Sequence, residues 1–387
     1  MRDECPTTIE YIYPEGGLQA WLVVLGSWCA LFASLGIANT LAIFQAYTSQ
    51  DQLSSYDASQ IGWIFSVYVF LAFACGICIG PIFDVYGPRW LVLPGSVCVV
   101  ASMFLLAVCK EYWHFIAVFG INGGIGASLL FTPSIAAIGH FFNRRRGNAT
   151  GIAATGCAFG GIVFPLLLQS SIPKVGFAWA TRVMGFIILF LCIIANLLIK
   201  SNLPRSLAAK SPHPDFRILS QPTFAMTVLG SFLIEWALFV PLTYITISVF
   251  GRWLPGLYSD TLGRFNCSIV CILLTIISVF TIWLPFGGQT AGIVVFVVVF
   301  GFASGSNISL TPVCVGQLCE TRDYGQYYAT CYTIVSVGCL TGVPIAGEII
   351  ERDGGQYWGL IVFTGCCYVG AFGAFAIARA QMKRLVC

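Results

Sequence analysis

The chain has very few charged residues for its length, and this shortage excludes most soluble folds. Only 9% of its 387 residues are Asp, Glu, Lys or Arg, whereas 58% are hydrophobic. Ordinary soluble domains have roughly 25% charged residues, so this chain could not cover a water-exposed surface of its size. Its mean hydropathy of +0.86 instead indicates a protein that lies in a lipid bilayer.

Signals of several other function classes are also missing. The net charge is only +3 and the basic residues are scattered, which argues against a nucleic-acid partner. The sequence has no Gly-x-x-x-x-Gly-Lys-Ser/Thr phosphate loop, so ATP is not the expected energy source. The three His are isolated, and most of the 17 Cys lie inside apolar runs, where we interpret them as small core residues. We therefore expect no metal, no cofactor and no enzymatic activity.

Long apolar runs predict where the chain crosses the bilayer. A helix needs about 20 mainly apolar residues to cross a hydrocarbon core about 30 Å thick. Eleven runs qualify, and they predict an all-α polytopic membrane protein. The runs are 20–46, 61–79, 91–108, 115–138, 148–170, 177–199, 224–248, 266–284, 291–312, 327–347 and 357–377.

The basic residues predict the orientation and the domain boundaries. Lys and Arg favour the cytoplasmic ends of membrane spans. With the N-terminus inside, only Lys110, Lys174, Arg182 and Arg352 fall outside, which leaves 15 of the 19 basic residues inside. We predict a cytoplasmic leader over 1–19, a six-helix bundle over 20–199, a cytoplasmic loop over 200–220, a shortened second bundle over 221–378 and a cytoplasmic tail over 379–387.

One short motif occurs twice, once in each half of the chain. In both copies a Gly is followed by Asp four positions later, by a second Gly three positions after that, and then by Arg. The copies are Gly80, Asp84, Gly87 and Arg89, and Gly256, Asp260, Gly263 and Arg264. The repeat indicates two related bundles in tandem. Each Asp could cap or pair at a helix end and gate the path, or the motif could be a turn with basic flanks; the duplication favours gating.

The spacing of the repeat reveals a deficit in the second half. The distance from Ala20 to Gly80 is 60 residues, whereas from Phe224 to Gly256 it is 32, a difference of 28. About 28 residues correspond to one helix with a turn. We place the deficit around positions 244–250, and we expect one helix of region seven to eight to be missing from a twelve-helix plan. A single crossing here would also place the later basic loops on the extracellular side of the membrane.

Two further stretches carry a family likeness. The first, at the mouth of the first span, contains Glu15, Gly16, Gly17 and Trp21; the second, leading into the fifth span, contains Phe142, Arg144, Arg145, Arg146 and Gly151. They resemble the two signatures of the monocarboxylate transporters, in a form similar to the fungal branch. The repeated motif resembles the signature loop of the major facilitator superfamily. The resemblance implies two helical bundles that alternate access to a central site. The three arginines themselves are more simply a basic cluster that sets topology near anionic lipid.

Polar residues inside the spans are candidates for the transport path. Glu235 could bind a coupling proton, or it could form a hydrogen bond that serves packing. The resemblance implies that Arg252 holds a substrate carboxylate. However, Ser248 stands where the family has an acidic partner, and Asn39 stands where it has a lysine, which argues against lactate-type chemistry. Asn122 and Asn307 complete the predicted path.

These features predict a secondary active transporter of a small, monocarboxylate-like organic solute, driven by protons and located in the plasma membrane. The expected partners are the solute, protons and the bilayer, with no nucleic acid; the sequence carries no signal for an oligomeric state. The alternatives are efflux of a secondary metabolite and riboflavin-type uptake. A different class remains open, namely a non-transporting sensor or an inactive truncated product. The deficit predicts that the chain as written transports poorly.

Overall fold

The computed structural model describes residues 13–203, 211–238, 248–354 and 356–386. Throughout these ranges the regular structure is helical, which confirms the predicted all-α fold. In chain order the α-helices are α1 (Gly17–Ala38), α2 (Leu41–Gln50), α3 (Ala58–Ala74), α4 (Gly76–Tyr86), α5 (Arg89–Leu106), α6 (Tyr112–Phe115), α7 (Gly124–Gly139), α8 (Arg146–Leu198), α9 (Pro222–Leu238), α10 (Ser248–Leu262), α11 (Arg264–Ser278), α12 (Leu284–Phe286), α13 (Thr290–Val315), α14 (Tyr324–Arg352) and α15 (Trp358–Val386).

Several membrane segments are built from two helices joined at a local irregularity. Segments of π-helix over Ile116–Gly123 and Val279–Trp283 connect α6 to α7 and α11 to α12. Helix α8 has 53 residues, but Gly176 has a φ of 79°, a left-handed conformation that favours Gly and divides α8 into two spans. In the described part of the chain, nine helical segments are long and apolar enough to cross a bilayer, with α8 counted once.

The helices form two bundles, α1–α8 and α9–α15, which meet along two seams. In the long seam, α3 and α4 pack on α14; in the short seam, α8 packs on α10. The hydrophobic core of the first bundle continues across the long seam to Tyr328, Tyr332 and Val335 of α14. Most of the second bundle has a core of its own.

The region predicted as one run over 224–248 differs from that prediction. It contains α9, which ends at Leu238, and α10, which begins at Ser248; positions 239–247 lie outside the described residues. Over the described residues, α9 and α10 measure about 25 and 22 Å.

Helices α9 and α10 run in opposite directions. Phe224, near the start of α9, contacts Tyr327 at the start of α14, whereas Trp236 lies deeper, against Gly342. Helix α10 runs back from Arg252, beside Ala154, to Asp260 at the start of α8. The loops before α9 and after α10 therefore lie at the same end of the molecule, as the distribution of basic residues requires. We call it the motif end, because both copies of the repeated motif lie there.

Candidate functional site

Asp84 joins the two bundles at the motif end of the long seam. Its Oδ1 accepts a hydrogen bond from the backbone N–H of Gly325 at 2.9 Å, and its Oδ2 accepts one from Gln326 at 2.7 Å. These N–H groups belong to the first turn of α14, where a helix has unpaired donors and partial positive charge. The side chain is buried. A carboxylate of the first bundle thus caps a helix of the second.

Asp260 makes the reciprocal contact in the short seam. Its Oδ1 accepts from the N–H of Gly147 at 2.9 Å, and its Oδ2 accepts from Asn148 at 2.8 Å. Both donors lie in the first turn of α8, so a carboxylate of the second bundle caps a helix of the first. Asp260 is only partly buried, whereas Asp84 is fully buried. The repeated motif therefore forms two equivalent inter-bundle caps.

The motif glycines allow the bundles to approach this closely. A Cβ atom at Gly80 would lie 2.6 Å from Ala329 Cβ, and one at Gly256 would lie 2.6 Å from the carbonyl oxygen of Gly147. Gly87 and Gly263 have φ values of 79° and 92°, left-handed conformations at the ends of α4 and α10. The glycine positions of the motif are thus required by close packing and by chain reversal.

The two motif arginines have different surroundings. Arg89 is exposed at the start of α5. Arg264 is partly buried and donates a hydrogen bond to the carbonyl of Asn143, in the loop before α8. Only Arg264 thus adds a contact between bundles.

Arg146 is a third link between the bundles. It is 2% exposed, and its Nη1 donates to the carbonyl of Gly316, just after α13, at 2.8 Å. Its guanidinium also lies 4.8 Å from the centre of the Tyr324 ring. By contrast, Arg144 and Arg145 are exposed. The interpretation as a surface cluster that only sets topology therefore fits Arg144 and Arg145 but not Arg146.

The two family stretches bind one another. Glu15 Oε1 accepts from the N–H groups of Asn143 and Arg144 at 2.8 and 2.7 Å, and its Oε2 accepts from Arg145 at 3.2 Å. The Trp21 and Phe142 ring centres are 5.3 Å apart. Gly16 and Gly17 have positive φ values where the leader enters α1, and Gly151 packs against the Arg252 carbonyl. The leader thereby fixes the loop that presents α8 to Asp260.

His140 lies beside this network but is not a titrating switch. Its ring Nδ1 lies 2.9 Å from Ser201 Oγ. Burial, with a smaller contribution from the positive charge of Arg146, lowers the pKa of His140 to about 3. The lowered pKa favours the neutral form of the ring near pH 7.

A second group of polar residues lies deeper in the second bundle. Counting from the motif end with a rise of about 1.5 Å per residue, Glu235 is about 20 Å deep, Arg252 about 15 Å and Asn307 about 12 Å. The centre of a 30 Å hydrocarbon core is at about 15 Å. We call Glu235, Arg252 and Asn307, together with three tyrosines near Glu235, the polar cluster; the tyrosines are Tyr328, Tyr332 and Tyr368.

The polar cluster contains buried polar atoms without protein partners. Arg252 Nη1 donates to the carbonyl of Ala154 at 3.0 Å, but its Nε has no partner among the described residues. The same holds for Asn307 Nδ2 and for the hydroxyl groups of the three tyrosines. Asn307 and Tyr368 lie side by side without a well-formed hydrogen bond between these atoms. Buried polar groups normally have partners, so this site can bind polar groups from elsewhere.

The structure does not bring all the predicted path residues together. Asn39 lies between α1 and α2, where its Nδ2 donates to the carbonyl of Cys157 at 3.2 Å. Asn122 Nδ2 donates to the carbonyl of Cys98 in α5, a contact between two helices of the first bundle. We therefore retain Glu235, Arg252 and Asn307 as candidates, and we assign Asn122 to helix packing.

The tyrosines of the cluster were missed from the sequence. Tyr324, Tyr328 and Tyr332 are spaced by four residues, the spacing that places side chains on one helix face. The same spacing is common in helix cores, so it does not by itself identify a site. Arg146 was named as part of a family stretch, but its contact with the second bundle was not predicted, because nothing in its triplet distinguishes it from its neighbours.

Two bundles with reciprocal caps at one end and a buried polar cluster between their ends define a membrane transporter. A family model described as Major Facilitator Superfamily matches residues 18–251. The chain belongs to the major facilitator superfamily. It is therefore a multi-pass membrane transporter and not an enzyme.

Individual relatives agree with this assignment. The chain is 34% identical over 392 residues to the MFS transporter asaE of Aspergillus flavus, covering 95% of this chain and 88% of that protein. It is 33% identical over 413 residues to the riboflavin transporter MCH5 of Saccharomyces cerevisiae, covering 95% and 79%. Both alignments are longer than the 387 residues of this chain, so these relatives carry residues that this chain lacks within the matched region.

A solved structure has the same fold. The fucose:proton symporter FucP of E. coli superposes with a TM-score of 0.68, covering 92% of this chain and 98% of its own. The two sequences are 15% identical, so this likeness concerns the fold alone.

Proposed function

We propose that the protein is a secondary active transporter of a small organic solute that works by alternating access. The observation that carries the proposal is the pair of reciprocal caps, because Asp84 and Asp260 each bind two N–H groups of the opposite bundle. Such contacts hold the motif end closed and must break when the bundles rock. With the motif end in the cytoplasm of a plasma-membrane protein, as the basic residues predict, this closed end faces inward.

Protons are the proposed coupling ion, and Glu235 is the proposed carrier. Glu235 is buried near the middle of the membrane, at a depth where ionisable residues serve function more often than structure. Arg252 lies within electrostatic range of it. Protonation of Glu235 would change the charge that Arg252 and a bound solute experience, which links the proton to the solute. The fold likeness to a proton symporter is compatible with this coupling.

Arg252 is the proposed anchor of a solute carboxylate, which makes the solute monocarboxylate-like. The Ala154 carbonyl occupies one Nη, and Nε has no partner among the described residues. A planar guanidinium binds a carboxylate in a bidentate manner that an ammonium group cannot reproduce. We expect Arg252→Lys to impair transport of a carboxylate solute, measured as initial uptake at matched surface expression. Full activity of the Lys variant would make Arg252 an ordinary structural cation.

A second candidate function is transport of a larger solute, either riboflavin-type uptake or efflux of a secondary metabolite. The similarity to a riboflavin transporter over 95% of the chain supports riboflavin-type uptake as a candidate. A non-transporting role is favoured only by the deficit of about 28 residues before Gly256.

The test is a solute screen in cells that lack endogenous carriers, run with and without a proton uncoupler. Monocarboxylates, riboflavin and fungal metabolites are followed as both uptake and efflux. The proposal predicts transport of at least one solute that the uncoupler abolishes. Uncoupler-insensitive transport would refute the proton step, and the absence of transport in both directions would favour the non-transporting alternative.

A further inference from the structure

The polar cluster has a wall of aromatic rings that comes from both bundles. On α14 the ring centres of Tyr328 and Tyr332 are 4.8 Å apart. Phe131 of α7 lies 5.7 Å from Tyr328 and 5.4 Å from Tyr332, and Phe73 of α3 lies 5.4 Å from Tyr332. These rings meet where the two bundles must separate when the molecule changes state. Aromatic faces of this kind are suited to hold a flat ring by stacking.

The unpaired groups of the polar cluster can all donate hydrogen bonds. Asn307 Nδ2 and Arg252 Nε can only donate, and each tyrosine hydroxyl has one hydrogen to donate. In the described part of the cluster, Glu235 is the one side chain that only accepts when it is ionised. A ligand that pairs these groups must therefore contribute acceptors, such as carbonyl or carboxylate oxygens.

Other tyrosines on α14 show that the unpaired hydroxyls are not a general property of the helix. The Tyr324 hydroxyl donates to the carbonyl of Pro312 at 3.0 Å, and the Tyr327 hydroxyl accepts from Gln221 Nε2 at 2.8 Å. Tyr328 and Tyr332, which are 0% and 3% exposed, have no such partner among the residues described. The difference separates the tyrosines that serve structure from those available to a ligand.

We infer that the polar cluster binds a planar aromatic solute whose rings carry carbonyl oxygens, with Tyr328 and Tyr332 as the residues that determine this specificity. The rings of Phe73, Phe131 and Tyr332 would stack on the solute. The two tyrosine hydroxyls and Asn307 would donate to its carbonyls, and Arg252 would pair with an acidic group. This inference rests on the proposed function, since it names the solute class of the same site.

The experiment uses two probes that differ only in their carbonyl groups. Anthraquinone-2-sulfonate is flat, anionic and carries two ring carbonyls, whereas anthracene-2-sulfonate has the same ring frame and charge without them. Binding to the purified full chain in lipid nanodiscs is measured by quenching of tryptophan fluorescence. We expect the quinone to bind about tenfold more tightly, the effect of one or two net hydrogen bonds.

Variants then assign the effect to the two hydroxyls. Combining Tyr328→Phe with Tyr332→Phe keeps the aromatic wall and should abolish the tenfold preference, while anthracene-2-sulfonate binds as before. The matched control is Tyr327→Phe, which removes a paired hydroxyl from the same helix and should leave the preference unchanged. Equal binding of the two probes by the unmodified chain, no binding of either, or a preference that persists in the double variant would each overturn the inference.

The probe experiment and the solute screen can fail independently of each other. Proton-driven transport of some solute together with failure of the probe experiment would refute the solute class and leave the proposed function standing. The expected probe pattern without transport of any solute would refute the proposed function, while the binding site would stand.

Discussion

The two seams between the bundles start alike and end differently. At the motif end, the carboxylates of Asp84 and Asp260 bind their N–H partners at 2.7–2.9 Å and 2.8–2.9 Å. Further from that end, the long seam continues through Phe73, Tyr332 and the bond from the Thr333 hydroxyl to the Ala74 carbonyl. In the short seam, the aromatic side chains of α10, which are Phe250, Trp253 and Tyr258, are exposed.

The comparison separates two tasks that a complete seam performs together. The caps need only one helical turn from each partner, so the short seam retains its cap. A wall across the bilayer needs helices that span it, and the sequence before Gly256 is about 28 residues short. We expect such a chain to close its motif end but to lack part of the wall around its path.

Restoring the missing length should produce the largest change. Inserting about 28 residues of an apolar helix–turn–helix between positions 247 and 249 would restore the spacing found in the first half of the chain, which is enough for one more helix and a turn. We expect solute uptake to rise from close to background to a robust rate. The measurement compares the short and restored chains at matched surface expression. An insertion of equal length made of Gly and Ser controls for length without helix. Robust uptake by the short chain would show that the present wall suffices.

Removing the Arg146 side chain should weaken both seams. Arg146→Met leaves the buried carbonyls of Gly316, Gly139 and Phe142 without their donor, at a cost of about 2–4 kcal/mol. We expect a lower unfolding temperature in detergent and slower transport. Arg145→Met is the matched control, because Arg145 is exposed and its loss should change stability by less than about 0.5 kcal/mol. Equal effects of the two substitutions would mean that Arg146, like its neighbours, only helps to set the membrane topology.

Substitution of either cap aspartate should have the same kind of effect on transport, but the effect should differ in size. Asp84→Asn and Asp260→Asn each remove the negative charge at a helix N-terminus, a loss of about 1–2 kcal/mol, or about 5- to 30-fold in the equilibrium between closed and open states. The loss should be larger at Asp84, since it is fully buried. Transport should slow while solute affinity stays nearly constant, because both residues lie far from the polar cluster. Equal losses of affinity at both positions would refute the gating role.

Glu15→Gln should have the smallest effect. Glu15 is partly exposed and stabilises the loop before α8 without crossing a seam, so we expect a loss of about 0.5–1 kcal/mol. Transport should fall less than in Asp260→Asn, measured in the same uptake assay. A larger loss than for Asp260→Asn would mean that the leader contributes directly to the closed state.

The sequence predicts the architecture well because the membrane imposes simple rules of length and charge. The apolar runs, the repeated motif and the deficit before Gly256 are all visible without coordinates. The partners of Asp84 and Asp260 are not visible in the sequence, because every residue except proline has a backbone N–H. The role of Arg146 between the bundles and the place of Tyr332 in the cluster were not predicted for a related reason. Burial and unpaired atoms arise only when distant helices pack, and composition alone cannot rank three adjacent arginines or four nearby tyrosines.

We propose that the two caps act together to hold the bundles closed at the motif end. Hydrogen–deuterium exchange tests it directly, since the amides bound by Asp84 are those of Gly325 and Gln326, and those bound by Asp260 are those of Gly147 and Asn148. The full chain is compared with Asp84→Asn and Asp260→Asn in nanodiscs, and peptides covering both helix starts are followed. We predict that each substitution speeds exchange at both sites, because opening one cap separates the bundles at the other. Faster exchange only at the site of each substitution would contradict the claim and reduce the caps to two independent turns.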